Sequence, residues 1–255
     1  MAPRDVPPTD SSPTKTILAL ARQAIRDFSL IEPGDRVAVG VSGGKDSALL
    51  YATLRELQRA EFDFELVAVH LDQRQPGFDR DGFDAQMSWL DAALEVVEED
   101  THSVVQAQLE PGQIPCSICG RLRRGILNRW AAEEGFTKLA LGHHLDDALE
   151  TFLLNLLYGR RLDPLKPATP SREGAVTTIR PLLLVEERKI EAWVVAREAP
   201  TVACPVCDTY PDSRRRDVKH ILSGLSGLGA DPRASVRTAI YESERGKRLL
   251  DDARF

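Results

Sequence analysis

The residues best suited to chemistry fall in a glycine-rich turn and in two pairs of cysteines. The turn is SGGKDS, which spans 42–47 and follows the apolar stretch VAVGV. Its two glycines allow positive φ and close backbone approach, so successive N–H groups can point at one anion. A helix beginning there adds the positive end of its dipole, and Lys45 adds a full charge. The turn therefore predicts a phosphate-binding loop, although a Gly-Gly pair alone is typical of any strand-to-helix turn.

The acidic residue of this turn sharpens the prediction. A carboxylate at position 46 repels phosphate, so Asp46 fits the site only if it binds Mg²⁺ or the ammonium of Lys45. Ser42 and Ser47 add hydroxyl donors for the same ligand. The spacing is not that of the common P-loop, which places four residues between its first glycine and Gly-Lys-Ser/Thr.

All four cysteines occur in Cys-x-x-Cys pairs. The first pair is Cys116 and Cys119, the second is Cys204 and Cys207, and 85 positions separate the pairs (204 − 119). A zinc ribbon typically has only about 15–20 residues at that place, so the fold must close any site that joins the pairs. Three interpretations stay open from the residues: a Cys₄ zinc site, a 4Fe-4S cluster held by at least three thiolates, or a redox dithiol.

The segment GHHLDD at 142–147 concentrates histidine and aspartate after a predicted strand and at the start of a predicted helix. Two His and two Asp at the end of a strand indicate a magnesium or ATP site. Asp146 or Asp147 is equally suited to cap the helix, because Asp is a favoured N-cap residue.

The elements that must position these residues alternate through about residue 180. Strands are predicted over 36–41, 64–71, 102–109, 138–141 and 176–179, and helices over 14–31, 45–57, from the loop at 72–82 to about 97, 120–134, 146–157 and 186–197. This alternation predicts an α/β fold with a mostly parallel five-stranded sheet and helices on both faces. In such sheets, ligands bind beyond the carboxyl ends of the strands.

Composition and charge narrow the class of protein. The 255 residues are 42% hydrophobic and 28% charged, with a net charge of −6. No apolar run approaches the roughly 18–20 residues of a membrane span, and the Pro/Ser-rich start has no apolar segment of a secretory signal. Against the acidic total, arginines cluster in RLRR, in GRR and in SRRR, which favours a polyanionic partner.

The SGGKDS turn resembles the motif of the PP-loop, or N-type, ATP pyrophosphatases, whose fold is that of the adenine nucleotide alpha hydrolases. GHHLDD resembles the second motif of that family. The resemblance implies that ATP is cleaved between its α and β phosphates, that a substrate oxygen is adenylated, and that the phosphate loop holds the pyrophosphate end.

The blocks LDQRQPGF, CSICGRLRRGIL, LALGHHLDD, LNLLYG and IRPL, in this order, resemble the branch that makes 2-thiocytidine in tRNA. The resemblance implies thiolation of a cytidine in the anticodon loop, with ATP, Mg²⁺ and a 4Fe-4S cluster held by three cysteines. The cluster ligands would be Cys116, Cys119 and Cys204, with Cys207 as the less favoured third ligand. The short acidic end LLDDARF and the charge of −6 depart from expectation for a tRNA-binding protein.

The same resemblance assigns the remaining site residues. The catalytic residues would be Lys45, Asp46, Arg121 and Asp147, with Arg121 between ATP and the cluster. The ATP site would comprise Gly40, Ser42, Gly43, Gly44, Lys45, Asp46, Ser47, His70, Gly142 and Asp147.

We expect 1–13 to be a disordered leader, 14–180 the PP-loop ATP-binding domain, and 181–255 a helical extension carrying the second Cys pair. The expected partners are tRNA and a sulfur donor such as a cysteine desulfurase, with no membrane, in a cytoplasmic homodimer. Two other functions fit the sequence less well. One is a PP-loop amidotransferase or ligase acting on a small molecule, which leaves the paired cysteines unexplained. The other is a zinc-stabilised nucleotide-binding protein without catalysis.

Overall fold

The computed structural model describes residues 12–109, 115–203, 214–227 and 231–251. Its sheet has six strands in the order β3-β2-β1-β4-β6-β5, and every neighbouring pair is parallel except β5 with β6. The strands are β1 (Asp35–Gly40), β2 (Phe64–Asp72), β3 (Leu94–Glu98), β4 (Lys138–Ala140), β5 (Ala168–Pro170) and β6 (Thr177–Ile179). The α/β fold and the mostly parallel sheet are confirmed, whereas the predicted number of five strands is wrong.

Helices precede and follow these strands. They are α1 (Ser12–Asp27), α2 (Lys45–Ala60), α3 (Arg80–Leu90), α4 (Thr101–Gln108), α5 (Cys116–Glu133), α6 (Leu145–Leu157), α7 (Glu187–Arg197), α8 (Arg214–Gly227), α9 (Pro232–Val236) and α10 (Glu244–Asp251). A π-helical segment, Arg237–Glu242, joins α9 to α10. Among the described residues, no helix combines the length and the apolar character that a membrane crossing requires.

Two predicted elements have the wrong type. The stretch 102–109 was predicted as a strand but forms α4, which is capped by Asp100 accepting a hydrogen bond from Ser103 N at 2.9 Å. The helix predicted to reach about residue 97 ends at Leu90, and Leu94–Glu98 forms β3 instead. Within the described sheet, β3 is an edge strand that pairs with β2. An edge strand tolerates charged residues, and for this reason Leu94–Glu98 shows only a weak apolar pattern in the sequence.

The sixth strand is β5, which the sequence analysis missed. It has three residues, ends in Pro170 and runs antiparallel to β6 at the edge of the sheet. Proline removes a backbone donor and is confined to edge strands, so Ala-Thr-Pro gives no strand pattern. The other predicted strands and helices overlap the observed ones with shifted ends.

The core lies on both faces of the sheet because neighbouring residues of a strand point to opposite faces. Val37 and Val39 of β1 belong to the cluster formed with α1, α2 and α7, whereas Ala38 between them packs with Ile126 and Leu127 of α5. This arrangement leaves the carboxyl ends of β1, β2 and β4 at one edge, where the turns that follow them meet.

Residues after position 180 contribute to the same core. Leu182, Leu184, Ile190 and Trp193 are buried in the cluster that also contains α1 and α2. A smaller cluster joins Leu149 of α6 to α8. The proposed domain division at residue 180 stays a prediction, and most of the predicted leader lies outside the described residues, since α1 begins at Ser12.

Candidate functional site

The SGGKDS turn connects the end of β1 to the start of α2. Gly43 has φ +86, a conformation that favours glycine, and a Cβ there would lie 2.9 Å from Cβ of Val202. The turn is also held from within, because Ser42 N donates to Ser47 Oγ at 3.2 Å and Ser47 Oγ donates to Gly44 O at 3.0 Å. The loop is therefore fixed by its own hydrogen bonds, at the positive end of the α2 dipole.

Lys45 lies in a compact group of charges. Its Nζ is 2.9 Å from Glu187 Oε1 and 3.3 Å from Asp46 Oδ1. Burial by itself lowers the pKa of Lys45, but the hydrogen bond to Glu187 and the charge of Asp46 leave that pKa above its ordinary value. For Glu187, burial by itself raises the pKa, but the hydrogen bond from Lys45 and its charge leave that pKa below its ordinary value. Both partners are consequently charged at neutral pH.

Asp46 presents an incompletely satisfied carboxylate. Its Oδ1 is buried and lacks hydrogen-bond geometry to any described residue, although Lys45 Nζ and His144 Nε2 lie 3.3 and 3.9 Å away. Burial raises the pKa of Asp46, and the nearby His144 and Lys45 only partly oppose that shift. A buried carboxylate oxygen with spare bonding capacity is a suitable ligand for Mg²⁺.

The GHHLDD segment packs directly against this loop. A Cβ on Gly142 would lie 2.9 Å from the backbone carbon of Asp46 and 3.0 Å from Ser47 N, so only glycine fits without displacement. His144 is the N-cap of α6, and its side chain accepts a hydrogen bond from Asp147 N while Asp147 Oδ2 accepts one from His144 N. The residue that caps α6 is therefore His144, and Asp147 completes the capping box.

Asp146 takes a structural role that the sequence did not reveal. Its buried carboxylate accepts a hydrogen bond from Glu187 N at 2.7 Å and one from Arg233 Nε at 2.5 Å. It thereby fixes the start of α7, which carries Glu187, and links α9 to α6. No local pattern in the sequence connects Asp146 to Glu187 or to Arg233, which lie 41 and 87 positions after it.

His70 lies beside the phosphate loop at the end of β2. Its Nδ1 is 3.0 Å from the carbonyl of Val41, the residue before the loop, and its ring packs against Phe78 and Phe83. Burial lowers the pKa of His70, despite the hydrogen bond that Nδ1 donates to the Val41 carbonyl. The imidazole is accordingly neutral at pH 7 and, with two phenyl rings, forms an aromatic wall suited to a nucleobase.

Cys119 lies at the same edge of the sheet. Its Sγ donates to Oε1 of Gln73, the residue after β2, at 3.1 Å. The side chain of Cys116, one turn earlier on α5, and the whole of Cys204 and Cys207 lie outside the described residues. Within the part of the chain that is described, no group of three or more His, Cys, Asp and Glu has metal-binding geometry. Arg121, two residues after Cys119, is exposed on α5.

The chain that leads to the second Cys pair lies on the phosphate loop. Val202 N donates to Gly43 O at 2.9 Å, two positions before Cys204 in the sequence. The buried side chain of Gln86 donates both to Gly43 O at 2.8 Å and to Pro200 O at 2.6 Å. The structure thus brings the phosphate loop, His70, Cys119 and the approach to Cys204 to one edge of the sheet. Gln86 and Val202 gave no signal in the sequence.

Comparison with known proteins agrees with this arrangement. The family model of the PP-loop domain matches residues 15–202. A tRNA-cytidine(32) 2-sulfurtransferase of Nitrosomonas europaea is 44% identical over 209 residues, which cover 82% of this chain and 67% of the relative. One of Yersinia pestis is 46% identical over 201 residues, covering 78% of this chain and 64% of the relative. The chain thus spans about two thirds of the length of these relatives.

A solved structure shares the fold. The U34-tRNA thiolase NcsA from Methanococcus maripaludis, determined with its 4Fe-4S cluster, superposes with a TM-score of 0.69 at 23% identity. The superposition covers 92% of this chain and 79% of that protein.

Proposed function

Because the chain belongs to the PP-loop family and, within it, to the tRNA-cytidine(32) 2-sulfurtransferases, we propose that it replaces the O2 oxygen of a tRNA cytidine with sulfur. The observation that carries the proposal is the approach of both cysteine-bearing segments to one phosphate loop. Cys119 contacts Gln73 at the end of β2, and Val202, just before Cys204, is bonded to Gly43.

The phosphate loop would bind the β and γ phosphates of ATP. The cytidine O2 attacks the α phosphorus, the bond to the bridging oxygen breaks, and pyrophosphate leaves. Lys45, the N–H groups of the loop and the start of α2 stabilise the charge that develops on the leaving phosphates. Asp46, with its buried free Oδ1, would hold Mg²⁺ against these oxygens. His70 and the phenyl rings beside it would contact the adenine.

Lys45 must change partners in this step. In the structure its ammonium is bound to Glu187, and a phosphate at the loop competes for it. Lys219 Nζ lies 3.9 Å from the other oxygen of Glu187 and can compensate that carboxylate once Lys45 turns to ATP. The contact with Glu187 thus keeps Lys45 charged and oriented beside the phosphate loop.

The cysteines would hold the group that delivers sulfur. Cys116 and Cys119 occupy positions i and i+3 of α5, a spacing at which two residues share one face of a helix. These two and one cysteine of the second pair would hold a 4Fe-4S cluster, which would supply sulfide-level sulfur for the new bond to C2. The C2–O bond then breaks, and the oxygen leaves with AMP. The adenylation of O2 and the addition of sulfur to C2 together replace one oxygen by one sulfur.

The proposal extends to the partners. A cysteine desulfurase-type donor, with a thiol reductant that supplies two electrons to reduce its persulfide sulfur to sulfide, would replenish the sulfur consumed in each turnover. The protein would act as a homodimer in the reducing cytoplasm, where Cys-x-x-Cys pairs stay available for metal. Arg121 would lie between the ATP and the cluster.

The test is anaerobic purification of the full chain, followed by iron and sulfide analysis and by mass spectrometry of nucleosides from tRNA incubated with ATP and a sulfur source. We expect about four irons and four sulfides per chain, as the 4Fe-4S formula requires, and ATP-dependent 2-thiocytidine. Alanine variants of the four cysteines should show that Cys116 and Cys119 are essential and that one of Cys204 and Cys207 is dispensable. A zinc protein without iron, or one that amidates a small molecule and leaves tRNA unchanged, would contradict the proposal.

A further inference from the structure

The carboxyl end of α6 carries an exposed surface that the phosphate loop and the cysteines do not use. Tyr158 is 45% exposed, and the Arg214 guanidinium covers its ring at 4.8 Å from the centroid. The neighbouring Leu157 and Leu162 are 50% and 58% exposed. We name the group the Tyr158 surface, and it consists of Leu157, Tyr158, Arg160, Arg161, Leu162 and Arg214.

The charge of this surface is uncompensated. Within the described part of the chain, none of its three arginines forms an ion pair, and the one hydrogen bond runs from Arg161 Nη2 to Asn155 Oδ1 at 3.4 Å. Other exposed arginines do find carboxylates, for example Arg129 with Glu99 at 2.7 Å. In a protein with a net charge of −6, three neighbouring unpaired guanidinium groups create a local field that attracts a polyanion.

The turn that presents the arginines is fixed rather than frayed. Arg161 N donates to Asn155 O at 2.9 Å, and a Cβ on Gly159 would lie 2.8 Å from the same oxygen. Arg160 has φ +53, which is uncommon for a residue with a side chain. The chain therefore accepts some backbone strain and places two adjacent arginines beyond the end of α6.

The Tyr158 surface is rigidly connected to the phosphate loop. From Asp147 at the loop to Tyr158, α6 advances 11 residues (158 − 147), or roughly 17 Å at 1.5 Å per residue. Helix α8 lies antiparallel beside it, because Arg214 meets Tyr158 whereas Leu222 packs on Leu149. A macromolecular substrate with a nucleotide in the loop region can reach this surface, and a small molecule cannot.

We propose that the Tyr158 surface binds the tRNA beside the nucleotide that is modified, which rests on the proposed function and adds a substrate-binding region to it. The arginines contact phosphates, and an unstacked base stacks on the ring face opposite Arg214. Bases of single-stranded RNA loops are commonly bound in this way, on aromatic rings and on guanidinium planes.

A second copy of the chain is the competing occupant, because exposed leucines also suit a dimer. A two-fold interface brings the same patch of both chains together. Here it would place three unpaired arginines against three others, at close range and without acidic partners. RNA phosphates remove this repulsion, so charge complementarity favours tRNA.

The experiment measures the affinity of the full-length, cluster-loaded protein for unmodified tRNA by fluorescence anisotropy, over a range of salt concentrations. Tyr158→Ala should weaken binding by on the order of 10-fold with an unchanged salt dependence, since stacking is not ionic. Tyr158→Phe should bind like the unmodified protein. Arg160→Ala with Arg161→Ala should weaken binding and lower the salt slope by roughly 1.5, at about 0.7–0.9 per lost phosphate contact.

Matched controls are Val195→Ala, another exposed apolar residue, and Arg172→Ala, an exposed arginine in the turn between β5 and β6. Neither should change affinity, and thermal unfolding checks that all variants are folded. If the unmodified protein binds tRNA and the surface variants bind it equally well, the surface proposal is wrong while the proposed function stands. If the surface variants change the sedimentation of the protein but not its tRNA affinity, the Tyr158 surface is a dimer contact, and the surface proposal is again wrong. If the unmodified protein does not bind tRNA, both proposals fail.

Discussion

The phosphate loop and the helix that carries the first Cys pair lie at the same edge of the sheet but are held very differently. The loop is fixed by bonds among Ser42, Gly44 and Ser47 and by contacts from Gln86 and Val202. Among its described residues, α5 has no side-chain cap, and the first of its residues to be buried in the core are Ile126 and Leu127.

The difference separates a site that is formed before its ligand from one that its ligand must complete. A fixed loop binds polyphosphate without paying for ordering, which favours fast, reversible ATP binding. The thiol of Cys119 donates a weak S–H bond to Gln73, and a thiol that is deprotonated for a metal gives up such a bond at small cost. We therefore expect ATP binding to be independent of the cluster.

The largest effect should follow from Lys45→Ala. It removes a charge that faces the leaving pyrophosphate, and loss of one such stabilising group typically costs about 10²–10³ in rate. Pyrophosphate release in the presence of tRNA measures this loss. The control is Lys189→Ala, which removes a lysine bound to Glu186 on the same side of the molecule and should keep the rate. Equal rates for both variants would exclude Lys45 from the chemistry.

Cys119→Ser should abolish thiolation while leaving ATP binding intact. Losing a ligand should exceed the roughly 10- to 100-fold drop in metal affinity that outer-shell substitutions cause. Iron content and ATP affinity, measured on the same preparation, separate the two regions. An ATP dissociation constant that rises together with the iron loss would show that the two sites form as one unit.

Gln86→Leu tests the connection between the two regions. The side chain is fully buried and donates to both Gly43 O and Pro200 O, so the variant removes both bonds and leaves Gly43 O with the one from Val202 N. We expect a loss of roughly 2 kcal/mol in the free energy of unfolding, measured by chemical denaturation. Gln106→Leu, at an exposed position of α4, is the control. A change no larger than that of the control would mean that Gln86 does not hold the segment before Cys204.

The smallest effect is a pH dependence from His70. Because burial lowers its pKa in the folded protein, the unfolded chain binds a proton first as the pH falls through about 6.5. Stability from this group is thus complete above that pH and decreases below it, with a slope of at most about 1.4 kcal/mol per pH unit. Asp72, Arg80 and Arg123 also act on the imidazole.

Unfolding curves between pH 5 and 8 measure this contribution, with pH values chosen to bracket the ordinary pKa of histidine at about 6.5. The variant His70→Asn should remove part of the slope, whereas His220→Asn, at an exposed position of α8, should not. A slope that His70→Asn leaves unchanged would assign the pH dependence to other groups.

The sequence predicted the strongly patterned elements and failed on the weakly patterned ones. β1 and β2 are buried on both sides and gave continuous apolar runs. Leu94–Glu98 and Ala168–Pro170 are edge strands, which need neither an apolar run nor a long pairing. The stretch 102–109 looked like a strand because Val104 and Val105 favour strands, but the Asp100 cap and the packing of Val105 select a helix.

The site divides in the same way. SGGKDS, GHHLDD and the Cys-x-x-Cys pairs are local patterns, and their residue types and spacing alone predict a phosphate loop, a helix start beside it and thiols suited to metal or redox chemistry. Glu187, Gln86, Lys219 and Arg233 belong to no such pattern. They meet the motifs only where packing brings distant segments together, as when Lys45 contacts Glu187 across 142 positions.

The sequence by itself determined which groups are available: glycines that permit a tight turn, charges for phosphate, and thiolates for metal. The tertiary structure decided which of them act together, since stacking α7 and the segment 200–202 against the end of β1 is a matter of core packing. Periodicity encodes the face that a helix buries but not the partner it is buried against. For that reason the alignment of Gly43, Gln86 and Pro200 became visible only in the folded chain.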